Sequence, residues 1–547
     1  MEKDFETKQE NNVAGAKLVK GTMVLVVAGI IAKIFGAIFR IPLTNLIGAE
    51  GQSYYSMSYN IYSWLLVLST AGFPVAISRM VSERIATGDF KNAHKTYKVS
   101  KKLMLAIGIV SFVICLFFAR NIADFVKNPE AKYSIMALSP ALLLAPLASA
   151  YRGYFQGQQN MIPTGASEVC EQLFRVIIGL SLSFLMIGYG AEYASAGATF
   201  GASAGLVFSF IFLTIVYGRD KKAKYDLIHN PNIKEESTKK LLKELVDIAI
   251  PITIGSSIMP LMFNIDAAIV MRRLQATGWT VAQSKQLYGL IGGYCDPLTG
   301  LPNVFIDAIA ISMIPAVTAA LTLKKKDELN KNIETGIKIM MLVAYPCAIG
   351  LMVLANPILN MLYGAHPDEA DMATLTLQIE AVAIIALSMM RVFSSALQGI
   401  GKMVLPVINL AIGLVVKITC SYALVGVHAL NVNGTALGTV LTFVVVSILN
   451  YLGLKKYADV KLNMTMVFIS PLVSSIVMGG FAWGSYKLFL MISGSNTLST
   501  LVAVLIAALV YFVLIFRTKT ITREDAGLIP KGDKIFEIAE KIHLIKD

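Results

Sequence analysis

Charge is scarce in this sequence: Asp, Glu, Lys and Arg supply 15% of 547 residues, against 55% hydrophobic types, and the mean hydropathy is +0.64. A surface that apolar cannot face water, which excludes a soluble globular protein and implies an all-α integral membrane protein. The five cysteines (Cys115, Cys170, Cys295, Cys347 and Cys420) are scattered through apolar segments without a C-x-x-C spacing, so neither a disulfide framework nor a zinc site is indicated. The five histidines form no H-E-x-x-H, and the chain has no G-x-x-x-x-G-K-[ST], so metal chemistry and nucleotide binding have no support and no cofactor is expected.

Apolar stretches of the ~20 residues needed to span the hydrocarbon core recur from residue 20 to residue 517. Polar and turn-rich breaks divide them into fourteen expected transmembrane helices, the fifth over 162–188 and the eleventh over 404–427. The first apolar segment has the length of a full span and no A-x-A-like site, so it reads as a retained helix rather than a signal peptide. With the N-terminus inside, Lys and Arg number 35 in the inner segments, 7 in the outer ones and 6 within spans. That asymmetry predicts an even number of crossings with both ends cytoplasmic. The net charge of +13 is then a topology signal; a nucleic-acid partner would need a folded basic domain, and no segment is large enough to be one.

The chain repeats itself. "YFQGQQNMIPTGASEVCEQLFRV" (154–176) has a counterpart in "ALQGIGKMVLPVINLAIGLVVKI" (396–418), offset by 242 residues. "GFPVAIS" (72–78) resembles "MIPAVTA" (313–319) at offset 241, and "GDFKNAHK" resembles "KDELNKNI" at offset 238. These matches predict two six-helix lobes, 20–218 and 245–457, between a tail (1–19) and two extra helices (458–517), with a basic linker (219–244) joining the lobes. The last segment, 518–547, contains "KIFEIAEKIHLI" (534–545), whose isoleucines recur at helical spacing, as in an amphipathic surface helix or a solvated tail. Six helices per lobe is an even number, so the repeat is parallel, the arrangement in which transporters place substrate near the midplane between lobes and alternate access by rocking.

A charge at the bilayer centre costs roughly 2.5–3.5 kcal/mol, so it faces a cavity or a partner. The cations within spans are Lys33, Arg40, Arg79, Arg175, Arg391 and Lys417; the anions are Glu168, Glu171, Asp266, Asp296, Asp307 and Glu380. Glu171 and Arg175, four apart, predict a structural ion pair. Arg79 stands at a span end, where it could snorkel or bind substrate. Lys33 and Arg40 are seven residues apart, roughly 10 Å of rise on one helix face, as expected for one stripe of a water-filled cavity. Salt bridges from Asp266 to Arg40 and from Asp307 to Lys33 would make the same residues a gate. Tyr54, Tyr55, Tyr59 and Tyr62 read either as sugar-stacking groups or as an interfacial belt. Gly197, Gly201 and Gly205 predict a close helix contact.

"RIPLTNLIGAEG" (40–51), "STAGFPVAISRMVSE" (69–83) and "RGYFQGQQNMIPTGASEVCEQLFRV" (152–176) resemble the stage V sporulation protein B-like branch of the MurJ/polysaccharide exporter group, in the multidrug/oligosaccharidyl-lipid/polysaccharide (MOP) superfamily. The resemblance implies a flippase in the bacterial plasma membrane that carries an undecaprenyl-diphosphate-linked cell-wall precursor, lipid II in the best-known members, to the outer leaflet. It implies a diphosphate site with Lys33 and Arg40 as its basic pair, and a groove of the last two spans for the polyprenyl tail. The chain departs from the Gram-negative members at Pro297, after Asp296, and near Ser53 and Trp64, leaving Arg272 or Arg273 as substitute clamps. Asp266, Asp296, Asp307 and Glu380 are then the gating or coupling acids, with Na+, H+ or membrane potential as the energy source.

The implied partners are a polyprenyl-diphosphate-linked saccharide and membrane lipids, and two fused lobes make a monomer sufficient. Two rivals share the superfamily: a flippase for another polyprenyl-linked glycan (spore cortex, teichoic acid or capsule), and a cation-coupled drug exporter with an acid-dominated site. A membrane enzyme acting on such lipids would need a catalytic domain outside the bilayer, for which no loop is long enough.

Overall fold

A computed structural model describes residues 2–219, 234–460, 462–518, 520–521, 536 and 540–541. Linker residues 220–233 and most of the tail segment 534–545 lie outside the described residues. The described elements are helices throughout: α1 Glu2–Thr70, α2 Phe73–Ala86, α3 Phe90–Phe117, α4 Ala119–Phe125, α5 Lys132–Gly157, α6 Ile162–Met186, α7 Ala191–Arg219 and α8 Thr238–Ala276. After these come α9 Val281–Leu290, α10 Asp296–Thr322, α11 Lys326–Val353, α12 Ala355–Leu362, α13 Pro367–Gly399, α14 Val404–Val425, α15 Asn433–Ala458, α16 Ser470–Ser493 and α17 Asn496–Arg517. In apolar surroundings every backbone N–H and C=O must be satisfied within its own segment, which leaves the helix as the form these sequences adopt.

Thirteen stretches are long and apolar enough to cross a membrane, against the fourteen expected; the first of them, Val27–Ala86, runs 60 residues. It is not one rod. Gly48 has φ 62° and ψ −174°, a left-handed conformation that a side chain would strain. Sixteen residues of straight helix would hold Phe39 and Tyr55 about 24 Å apart; their ring centroids lie 5.9 Å apart. The chain therefore folds back at Gly48, and Gln52 Nε2 donates to Thr44 Oγ1 at 2.8 Å across the bend. The returning arm breaks again before α2 at Gly72, where a Cβ would stand 2.1 Å from the Ala249 carbonyl oxygen.

By packing, the chain forms two compact units, Met1–Met271 and Arg272–Asp547. In sequence α8 opens the second repeat, yet up to Met271 it belongs with the first unit. Thr253 Oγ1 accepts from Gly72 N–H at 3.1 Å, and Asn264 Nδ2 donates to the Asn60 carbonyl at 2.8 Å. In the second unit, α16 and α17 share an apolar cluster with Leu354, centred on Met478, Ala482, Ala503 and Ala507.

The internal repeat is written into the backbone. Gly88 and Lys324, 236 residues apart, both take positive φ, as do Gln159 and Gly401, 242 apart. The hydrogen bonds around them match: Asp89 N–H to Arg84 O and Lys325 N–H to Ala320 O, then Asn160 N–H to Phe155 O and Lys402 N–H to Leu397 O. Contacts match as well, since a Cβ on Gly157 would meet Val81 and the Ser78 carbonyl, and one on Gly399 would meet Val317 and the Ile314 carbonyl. The offset around the α2–α3 turn is thus 236 rather than the 241 and 238 of the sequence matches.

The end of the linker is clamped to this turn. Arg84 Nη2 donates to Glu236 Oε2 at 2.6 Å and to Glu244 Oε2 at 2.8 Å, with the arginine side chain only 9% exposed. Asn92 donates to the Lys234 carbonyl and accepts from Glu236 N–H. Burial alone would raise the Glu236 carboxyl; its hydrogen bonds to Arg84 and Lys240 outweigh that and hold it below its ordinary value. A depressed carboxylate contributes stability above its unfolded pKa of about 4.3 and loses it as pH falls through the lower folded value. Arg84→Gln should therefore cost about 1.5–3 kcal/mol at pH 7, and the gap to wild type should close below about pH 4. Unfolding temperatures of the detergent-solubilised protein across that pH range test both.

Candidate functional site

One stripe of α1 carries Gly29, Lys33, Gly36 and Arg40, spaced by four, three and four residues, so that they share a helix face. A Cβ on Gly29 or Gly36 would meet nothing within 4 Å, and Lys33 is exposed. At its two glycines the stripe faces open space. Val27, Ile30, Ile34 and Ile38, all exposed, form a separate apolar face next to it, suited to lipid. On the opposite side Phe39 and Leu43 enter a core with Ile47, Tyr55, Ala194 and Ala198.

The fold-back at Gly48 brings the tyrosine row alongside Arg40. Tyr54, Tyr55 and Tyr62 are at most 4% exposed, which removes the interfacial-belt reading for them. Tyr55 and Tyr59 are stacked at 5.8 Å, and Tyr59 lies 5.5 Å from Tyr62. Arg40 Cζ is 5.9 Å from the Tyr55 ring. Arg175 reaches the same tyrosine from α6: Nη2 donates to Tyr55 Oη at 2.7 Å and Nη1 to Tyr59 Oη at 3.1 Å. Its Cζ lies 4.7 Å from the Tyr59 ring and 5.5 Å from the Phe39 ring. Two guanidinium groups from different helices thus converge on Tyr55, and among the described residues Arg175 has aromatic partners only.

This corrects the expected Glu171–Arg175 ion pair. Glu171 Oε2 accepts instead from Arg152 Nη2 at 2.9 Å, with both side chains under 20% exposed. Arg152 is completed by Ser167 Oγ at 3.0 Å and Ser209 Oγ at 3.1 Å. A pair along one helix adds only ~0.2–0.5 kcal/mol, whereas a charged hydrogen bond between helices adds ~1.5–3. Arg152 is not among the within-span cations named from the sequence, and the signal that could have found it is an arginine one turn inside an apolar helix.

What brings α6 so near is the glycine stripe of α7. A Cβ on Gly197 would lie 2.9 Å from the Leu182 carbonyl carbon, on Gly201 2.6 Å from Gly179 Cα, and on Gly205 2.3 Å from the Glu171 carbonyl oxygen. The expected close contact is therefore between α6 and α7, and it fixes the height and rotation of Glu171 and Arg175.

The other candidates lie elsewhere. Arg79 Nε donates to Glu83 Oε1 at 2.8 Å, and with side chains 64% and 53% exposed this is a helix-surface pair rather than a clamp. Arg273 is held at the end of α14, with Nε donating to the Tyr422 carbonyl at 3.1 Å and Cζ 4.2 Å from that ring; this fixes a helix terminus. Arg272 is exposed beside it. Asp266 is part-buried in α8. In the second unit Asp296 is exposed at the start of α10, just after a five-residue π-turn, Ile291–Cys295. Asp307 Oδ1 lies 3.6 Å from Arg391 Nε, each side chain 40% exposed, and Glu380 is part-buried in α13. Among the described residues no group of three or more His, Cys, Asp or Glu could hold a metal ion.

Residues 18–321 match the family of polysaccharide biosynthesis proteins, and residues 292–423 match the MatE family. The lipid II flippase MurJ of Bacillus subtilis is 29% identical over 481 residues, covering 85% of this chain and 87% of that protein. Stage V sporulation protein B of the same organism is 25% identical over 520 residues, covering 95% and 98%. Among solved structures, lipid II flippase MurJ in an inward closed conformation superposes with a TM-score of 0.68 at 16% identity, over 90% of this chain and 98% of that one. An inward-facing MATE-family multidrug transporter also gives 0.68, at 14% identity over 78% and 94%.

The α6–α7 contact yields a direct test. Gly205→Val places branched carbons on the Glu171 carbonyl and should cost about 1–3 kcal/mol, seen as a fall of several degrees in unfolding temperature. Gly29→Ala, facing open space within a helix, should not lower it.

Proposed function

Because the chain belongs to the polysaccharide biosynthesis protein family, within the MOP superfamily of multi-pass membrane transporters, we propose that it is a flippase moving undecaprenyl-diphosphate-linked cell-wall precursor, lipid II of peptidoglycan synthesis, from the inner to the outer leaflet. The observation that carries this reading is the stripe on which Lys33 and Arg40 alternate with two glycines that face open space. A dianionic diphosphate cannot cross hydrocarbon unaided. Cations set two turns apart replace its lost hydration with charge-assisted hydrogen bonds. Arg175, tied to tyrosine hydroxyls rather than to a carboxylate, keeps its full charge near Arg40 and raises the local positive potential. The glycines leave room for the bulk of the diphosphate.

The outward faces of α16 and α17, with Ile476, Phe481, Leu501 and Leu505 exposed, suit a polyprenyl tail. Membrane potential, negative inside, favours outward movement of an anion by ~2.3 kcal/mol per charge per 100 mV. In this mechanism the acids Asp266, Asp296, Asp307 and Glu380 serve release or ion coupling by Na+ or H+. The relatives leave two sugars in play, since one similar protein is a lipid II flippase and another a sporulation protein, and both cargoes would share the diphosphate chemistry. The MatE match at 292–423 supports a second reading, a cation-coupled exporter in which the acids are essential and the basic stripe is dispensable.

Complementation separates them. In cells depleted of their lipid II flippase, wild type should restore growth, and well-expressed Lys33→Ala/Arg40→Ala should fail by at least a hundredfold in plating efficiency. A double variant that rescues fully sinks the cationic stripe. A correctly inserted wild type that fails to rescue moves the cargo to another polyprenyl-linked glycan or to a drug.

A further inference from the structure

Away from the α1 stripe, the polar end of α3 borders a groove of about 810 Å³ lined by Lys91, His94, Lys95, Lys98, Lys102 and Glu235, with Val99, Leu103 and Leu242 as an apolar floor. The lysines recur at intervals of four, three and four, so one helix face carries all of them over about 16 Å. Their charges are unevenly answered. Glu235 alone serves two of them, at 3.5 Å from Lys91 Nζ and 3.0 Å from Lys95 Nζ. The hydrogen bond from Lys95, with the charges of Lys95 and Lys91, holds its carboxyl below the ordinary value, so that pair stays ionised at neutral pH. Lys98 and Lys102 are exposed, and among the described residues neither has a hydrogen bond or an ion pair. They sit where the helix turns apolar, from Met104 onward, the level at which headgroups meet hydrocarbon.

We propose that this groove is a binding site for an anionic phospholipid, its phosphate on Lys98 and Lys102 and its glycerol and upper acyl carbons on Val99, Leu103 and Leu242. Two unanswered ammonium groups above an apolar floor match an amphiphile with a negative head better than they match a free anion, which has no use for the floor. The count of Lys and Arg puts this end of α3 on the cytoplasmic side, where anionic lipids attract basic segments. The linker end clamped by Arg84 forms the far wall through Glu235, so an occupied groove would also steady the segment leading into α8.

The test uses the purified full chain in detergent, with unfolding temperature followed as phosphatidylglycerol, phosphatidylcholine or inorganic pyrophosphate is added. Phosphatidylglycerol should raise the wild-type value by several degrees and phosphatidylcholine should not. Lys98→Gln/Lys102→Gln should weaken the apparent phosphatidylglycerol affinity about thirtyfold, taking roughly 1 kcal/mol per lysine. Lys98→Arg/Lys102→Arg should keep it, which separates loss of the site from loss of folding. Lys33→Ala/Arg40→Ala should respond like wild type, so the outcome is independent of the transport reading. A pyrophosphate response that equals the lipid response, and is lost in the glutamine variant, would reassign the site from a lipid headgroup to a soluble phosphate. The proposal is overturned if phosphatidylglycerol acts equally on wild type and the glutamine variant, or on neither.

Discussion

A guanidinium inside a lipid-embedded helix bundle must be answered by hydrogen bonds, because leaving it bare costs more than any single packing contact returns. The first unit meets that demand twice. Arg152 is answered by a carboxylate and two serines, and Arg175 by two tyrosines. The first arrangement neutralises its charge and is structural. The second satisfies the donors while leaving the charge in place, and everything that brings the tyrosines to Arg175 follows from it.

Two glycine devices serve that end. Gly48 folds α1 back so that Tyr55 stands beside Phe39 and Arg40, and the Gly197, Gly201 and Gly205 stripe lets α6 approach α7 until backbone touches backbone. Neither device touches a ligand. Both set positions that a side chain reads out: a bulkier residue at 205 would push Glu171 off Arg152, and one at 48 would swing the whole tyrosine row. Interfaces between helices in lipid gain little from hydrophobicity and depend on such close packing.

Much of this was legible in the sequence, because hydropathy and turn residues act locally. The expected spans 162–188 and 404–427 lie within two residues of α6 and α14 at either end, and the 242-residue offset survives to the hydrogen bond. The offset of 236 near α2 and α3 was blurred because Pro and apolar residues match loosely, whereas the backbone register is set by the positive-φ turn at Gly88 and Lys324. Hydropathy was also silent on rotation. It could not tell whether Tyr55 faced lipid or core, since tyrosine suits either. Nor could it choose between partners for Arg175 four residues away and on another helix. That choice was made by tertiary packing.

The repeat makes the asymmetry of the two units informative. Lys417 is the counterpart of Arg175, 242 residues on, and it is 2% exposed. Its ammonium donates to the Thr435 carbonyl at 2.8 Å, to Thr435 Oγ1 at 3.1 Å and to Thr439 Oγ1 at 2.8 Å. An ammonium has three protons, and these contacts use them. The counterpart of Thr439 in the first unit is Gly197, which offers no hydroxyl, and the Arg175 guanidinium donates to the two tyrosines. One ancestral basic position has thus become a sealed structural cation in the second unit and a charge held near an open stripe in the first. Duplication supplied two copies of a buried charge, and their surroundings differ: carbonyl and hydroxyl oxygens of one neighbouring helix in the second unit, tyrosine hydroxyls of α1 in the first.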